Sequence, residues 1–139
     1  MHRKTLIALL GAMIIAVAAA GSALAAGSGP SVRVQIKTLT KTVRQVVVHG
    51  QTGWITKGGT PRGKCPGNSA AGALNAATHG KWSGKYYASV GGIFVTSILG
   101  VTPTSPDYWS LYVNGKPSSQ GACAVHLHAG ERLLFKVVK

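Results

Sequence analysis

The chain's usual catalytic and metal-binding residues are few: five histidines, two cysteines and two carboxylates, Asp107 and Glu131, among 139 residues. A paired-carboxylate hydrolase needs two acids in one site. A phosphoryl-transfer enzyme needs acids to hold its metal, and a calcium site needs several carboxylates. So few acids count against all three classes. Asp107 precedes Tyr108-Trp109 with no nucleophile motif nearby, so nothing points to a Ser-His-Asp triad. His126 and His128 alternate, which on a strand would put both on one face, where His49 or His79 could complete a metal set. Solvated or hydrogen-bonded histidines are the commoner outcome, and no metal or other cofactor is expected. Cys65 and Cys123 do not form a C-x-x-C pair, so a redox motif is not indicated.

Aromatic and basic residues carry the remaining chemistry. Tyr108, Tyr112 and the Asn114-Gly115 turn could rim a small-molecule site. Trp54 and Trp82 lie near Gly-rich stretches, where an exposed indole could stack on a ligand or instead pin a loop to the core. Trp109 and Tyr112 are three apart, so on a strand they face opposite sides, with Trp109 the expected core residue. Fifteen Lys and Arg against two acids give a net charge of +13, although only 12% of residues are charged, against about 25% in a typical soluble domain. The chain is basic because acids are missing. Its bases are spread over Arg33, Lys37, Lys41, Arg44, Lys57, Arg62, Lys64, Lys81 and Lys85. They form either a solvated surface or an anion-binding one, and a net charge this far from zero attracts polyanions over long range.

These residues must be positioned by elements visible in the pattern. Val32, Val34 and Ile36 alternate with Arg33, Gln35 and Lys37, which predicts a half-buried strand with a basic outer face. Val43 to His49 predicts a second strand and a hairpin with the first. Gly50 to Asn68 has the composition of a loop. Ser69 to Thr78 predicts the one helix, with Ser69 as N-cap, Leu74 as the only large core contact and Gly80 as the stop. Lys81 to Val90 and Ile93 to Leu99 predict two strands about Gly91-Gly92. Tyr108 to Val113 predicts a strand ending in the strong hairpin dipeptide Asn114-Gly115. Glu131 to Lys139 predicts the last strand. The expected class is α+β, one domain over residues 32–139 behind a flexible lead-in at 26–31.

Residues 1–25 have the pattern of a secretory signal peptide. His2, Arg3 and Lys4 precede an apolar run from Leu6 to Ala20, too short for the roughly twenty residues of a spanning helix. Ala23-Leu24-Ala25 fits the small-x-small cleavage rule. The mature chain would hold about 114 residues, no second apolar run and a charge of roughly +11. An exported protein with two cysteines usually joins them. A Cys65–Cys123 bond would close a loop of about 58 residues, worth about 4 kcal/mol by chain entropy. Two free buried thiols are the alternative.

The segment from Tyr108 through Trp109, Val113-Asn114-Gly115, Gly121 and Gly130-Glu131-Arg132-Leu133 resembles the C-terminal domain of the transcobalamin and intrinsic-factor family. That domain also occurs, without assigned function, in secreted bacterial proteins. The Ala-rich stretch Ser69 to Ala77 resembles the family's helix, and Cys65 and Cys123 resemble the cysteine pair of its bacterial members. The resemblance spans about Val32 to Val138. It implies a small β-grasp-like mixed sheet carrying one short helix, and it implies no catalytic set. In transcobalamin-like proteins this domain is the smaller half of a clamp whose other half is a helical barrel. About 114 residues leave no room for a barrel here, so tight cobalamin binding is not expected. Near-absence of acids also departs from the family's balance.

The expected function is an exported, non-enzymatic binding module whose basic surface suits anionic envelope polymers. A small-molecule ligand, a partner protein for a structural cell-surface domain, and a small secreted enzyme or enzyme accessory are the competing readings. No motif for specific nucleic-acid recognition accompanies the charge.

Overall fold

The structure, a computed structural model, describes residues 28–57, 64–87, 89 and 92–139. The expected signal peptide and Arg62 lie outside them.

Alternating apolar residues build the first hairpin. Strand β1 (Ser31–Lys37) buries Val32, Val34 and Ile36 and pairs antiparallel with β2 (Thr42–His49). The stretch expected to be loop instead holds a short hairpin, β3 (Trp54–Thr56) with β4 (Lys64–Pro66). Local composition there is dominated by Gly and Pro. What holds the strands is Cys65, fully buried opposite Ile55.

Helix α1 (Ala70–Thr78) starts at Ser69, whose hydroxyl accepts from the Gly72 N–H. Its last cap is not Gly80 but His79, in the left-handed region at φ 52°, with Gly80 following at φ 76°. Leu74 and the alanines Ala70, Ala71, Ala73 and Ala77 are buried, so the helix can approach the sheet closely. At Gly72 the approach leaves no space at all: a Cβ there would run into the Gly67 carbonyl.

Strands β5 (Trp82–Tyr87) and β6 (Gly92–Ile98) pair antiparallel, as expected for their sequence, and residues 88, 90 and 91 between them are not described. Strand β7 (Tyr108–Val113) turns through Asn114-Gly115, both at positive φ, into the two-residue β8 (Lys116–Pro117). Strand β9 (Arg132–Val138) completes the sheet.

The main sheet has the order β2-β1-β9-β7-β8, with β1 and β9 parallel and the remaining pairs antiparallel. Its inner face presents Val32, Val34, Ile36, Leu133, Phe135, Val137 and Trp109 to one core that also takes in α1. Among the described residues the fold is α+β and mostly sheet, with one short helix.

Candidate functional site

With α1 packed on one side of the main sheet, the other side is left without a covering element among the described residues. Strand alternation decides what stands there. On β1 the outward residues are Arg33, Gln35 and Lys37; on β9 they are Arg132, Leu134, Lys136 and Val138. The parallel register places Arg33 beside Arg132 and Lys37 beside Lys136. Adjacent strands are about 4.8 Å apart, and the two rungs, four residues apart, are separated by about 13 Å. Between them runs a row of Gln45, Gln35, Leu134 and Tyr112, while Ser110 and Tyr108 follow on the β7 side.

None of the five strands contains an acid. The only ion pair among the described residues, His128 Nδ1 with Glu131 Oε1 at 3.1 Å, leaves all four rung bases unpaired. Like charges directly opposite one another oppose strand pairing. Two such rungs on one face therefore work against the sheet's stability, and they concentrate positive charge on its open side.

The other bases scatter. Arg44 faces inward opposite Ile36, where its Nη2 lies 3.4 Å from His79 Nε2 at the helix C-terminus, a favourable place for a cation. Lys57 donates to the Gly80 carbonyl at 2.8 Å and lies 5.2 Å from the Trp82 ring centre. The helix N-terminus offers no anion site. Its first free N–H groups are used by the Val125 carbonyl, the Ala122 carbonyl and the Ser69 hydroxyl.

The expected site residues divide. Tyr108 is 44% exposed and shares the outer face with half-buried Tyr112. Trp109, on the opposite face, is buried, and its indole donates to the Val101 carbonyl. Asn114 is committed to the turn: its Oδ1 accepts from the Arg132 N–H at 2.9 Å and its N–H donates to the Arg132 carbonyl. Gly115 supplies the second positive φ and faces open space. Trp54 is 68% exposed on β3 and does present its indole. Trp82 follows the second of its two alternatives and packs into the core rather than offering a stacking platform. It is 4% exposed, and its indole donates to Asn75 Oδ1 at 3.0 Å, fixing β5 to the helix.

His126 and His128 do correct an expectation. They lie in the irregular segment before β9, not on a strand, because the segment's backbone is engaged with Ser69, Asn68 and the helix start. His49 bonds the Gly29 carbonyl and His79 caps the helix, so the four histidines do not converge. Among the described residues no three His, Cys, Asp or Glu come together as a metal set. Cys65 and Cys123 are joined, with Cα atoms 4.9 Å apart.

The sequence expectation missed Arg132 and Lys136. Their alternation with Leu133, Phe135 and Val137 was available in the sequence; their parallel register with β1 was not.

A second feature is a groove of about 170 Å³ on the inner side of β7, lined by Phe94, Tyr108, Trp109, Leu111, Ala122 and Phe135 among others. Phe94, which is exposed, is among its lining residues.

Residues 67–139 match the family model "Domain of unknown function (DUF4430)". The chain belongs to that family. The match takes in α1 and every strand after it, including the Trp109 to Gly115 signature, and stops short of β1 to β4. No curated protein matches the chain in sequence. Among solved structures, haptocorrin in complex with Cbi is similar at a TM-score of 0.57 and 20% identity, over 79% of this chain and 25% of that one. A protein from Ruminococcus gnavus ATCC 29149, described as a candidate metal binder, is similar at a TM-score of 0.56 and 12% identity, over 79% of this chain and 97% of that one. These identities show a shared fold. Haptocorrin is of the transcobalamin family, so the resemblance in the signature residues holds at the level of the fold, and this chain spans a quarter of haptocorrin's length.

Proposed function

We propose that this protein is an exported, non-enzymatic binding module that holds anionic envelope polymers on the open face of its sheet. The observation that carries the reading is the pair of like-charged rungs, Arg33–Arg132 and Lys37–Lys136, on a face with no acidic strand residue. Arg offers a planar fork of donors to carboxylate, sulfate or phosphate, and Lys offers a point charge.

Export is supported by the charged start, the short apolar run and the small-residue cleavage pattern of residues 1–25, together with the disulfide. Among the described residues no helix is long and apolar enough to cross a membrane. The non-enzymatic reading is supported by the disposition of the two acids: Glu131 is bonded to the His128 ring and N–H, and Asp107 stands in the Pro-rich link before β7. The strand order, with a first hairpin, a helix on one face and a last strand parallel to the first, supports a β-grasp-like classification.

The test is retention of the purified chain on an anionic matrix across a salt series. Retention at low salt should vanish toward 1 M, where the screening length falls to about 3 Å. The combined substitution Arg33→Gln, Lys37→Gln, Arg132→Gln and Lys136→Gln should release the protein at much lower salt than Lys41→Gln, Lys64→Gln, Lys81→Gln and Lys139→Gln, which remove the same charge elsewhere. Equal losses from both sets would mean that net charge alone binds, and would overturn the assignment of the face.

The fold shared with haptocorrin, together with the groove at Phe94 and Tyr108, favours a small-molecule ligand as the second reading. Ligand pockets span about 300–1,000 Å³ and bury most of the ligand, so a groove of about 170 Å³ cannot enclose a corrinoid by itself. Titration with cobalamin should show no submicromolar binding; a dissociation constant below that limit would establish the second reading.

A further inference from the structure

We infer that the ligand of this face is an anionic polysaccharide, recognised as two acidic groups with hydroxyl-bearing sugar between them; this rests on the reading that the face binds anions. The two basic rungs fix the ends of a segment about 13 Å long. What separates them is not more charge. It is a row of two amides, Gln35 and Gln45, one apolar side chain, Leu134, and the phenol of Tyr112. Gln45 is exposed, and the Gln35 amide has only a 3.5 Å contact with Thr42 Oγ1. Among the described residues neither tyrosine hydroxyl takes part in a hydrogen bond of the fold. Amides and phenols both donate and accept, which suits hydroxyl groups and offers nothing to a second row of anions.

The same layout disfavours the other polyanions. A polyacidic peptide or a simple polyphosphate would be served by continuous charge and would make no use of the neutral row. Single-stranded nucleic acid stacks successive bases on aromatic rings. Tyr108 and Tyr112 are four residues apart on one strand, about 13 Å, with Ser110 between them, too far for neighbouring bases. That distance suits sugar rings a repeat apart, each laying its C–H face on a phenol ring.

The chain is titrated with hyaluronate and unsulfated chondroitin, in which a carboxylate sugar alternates with an uncharged one, and with neutral dextran, polyglutamate and single-stranded DNA at one low salt concentration. Hyaluronate or chondroitin should bind about tenfold more tightly than polyglutamate at equal concentration of charge, and neutral dextran should not bind. The double substitution Gln35→Ala and Tyr112→Phe should weaken the favoured glycan about tenfold, the scale of one or two hydrogen bonds, while moving polyglutamate by far less. Circular dichroism confirms that the variant folds, and the comparison of probes on the unaltered chain stands without it. Equal affinity for polyglutamate and both glycans overturns the inference and leaves the anion-binding face intact. Preference for the DNA overturns it in favour of a nucleic acid. Binding of neutral dextran as tightly as the charged glycans overturns it too, since the rungs would then be idle. Binding to no probe at low salt overturns the face itself.

Discussion

Asn114 shows how a residue legible in sequence carries a structural task its dipeptide only partly announces. Its dipeptide predicted the hairpin, and the hairpin is there. Its side chain, expected at the rim of a site, also accepts the Arg132 N–H, and its backbone holds φ at 49°. A left-handed residue other than Gly costs about 1–2 kcal/mol, and the local hydrogen bond that offsets this for Asn is lost in Ala. Asn114→Ala should therefore destabilise by about 1–2 kcal/mol, lowering Tm by roughly 4–8 °C per kcal/mol. Asn114→Gly should lose less, because Gly pays no conformational penalty. Thermal melts of the two variants check this, and an Ala variant as stable as the Gly variant would show that the backbone is not strained. The two tryptophans divide on a related point. Composition near Trp54 and Trp82 is similarly Gly-rich, and only the fold decides that one indole meets water while the other meets Asn75.

Periodicity was strongest where an element has one buried face. It predicted β1, β2, β6, β7 and β9 to within a residue or two, and the Ser69 cap located the start of α1. It failed where the local signal was overridden by a distant partner. The β3–β4 hairpin exists because Cys65 reaches the core, and the histidine segment is irregular because its carbonyls serve the helix start. Half of the basic face was visible in β1 alone, as Arg33 and Lys37. The other half needed the pairing of β1 with β9, strands nearly a hundred residues apart, and no local pattern records such a register. Gly72 is the element's least visible constraint, since Ala is ordinarily the better helix residue by about 1 kcal/mol. Here a methyl would meet the Gly67 carbonyl, so the sign reverses. Gly72→Ala should destabilise by about 1–3 kcal/mol, the usual cost of overpacking. A rise in the denaturation midpoint would show that the Gly67 segment can move aside.

For the molecule as a whole, the disulfide links two segments that both converge on the start of the helix. Cys65 belongs to β4, which leads into Ser69, and Cys123 lies in the segment whose Ala122 and Val125 carbonyls receive the first N–H groups of α1. The bond therefore holds in register three pieces that sheet pairing leaves free, since β3–β4 is not hydrogen-bonded to the main sheet. It closes a loop of 58 residues, and the chain-entropy model values that at about 4 kcal/mol. Domains of this size have about 5–15 kcal/mol in total, so reduction should leave a fold near its margin. The loss should also be uneven. The β1–β9–β7 core is secured by Val34, Ile36, Phe135 and Val137 and does not depend on the bond. Hydrogen exchange after reduction should show the amides of Ala70 and Ala71 losing protection before those of β9. Anion binding should persist in the reduced protein at temperatures where the sheet survives, because both basic rungs sit on β1 and β9. Loss of binding in step with the helix amides would mean that the sheet and the helix unfold together, and that the face depends on the disulfide after all.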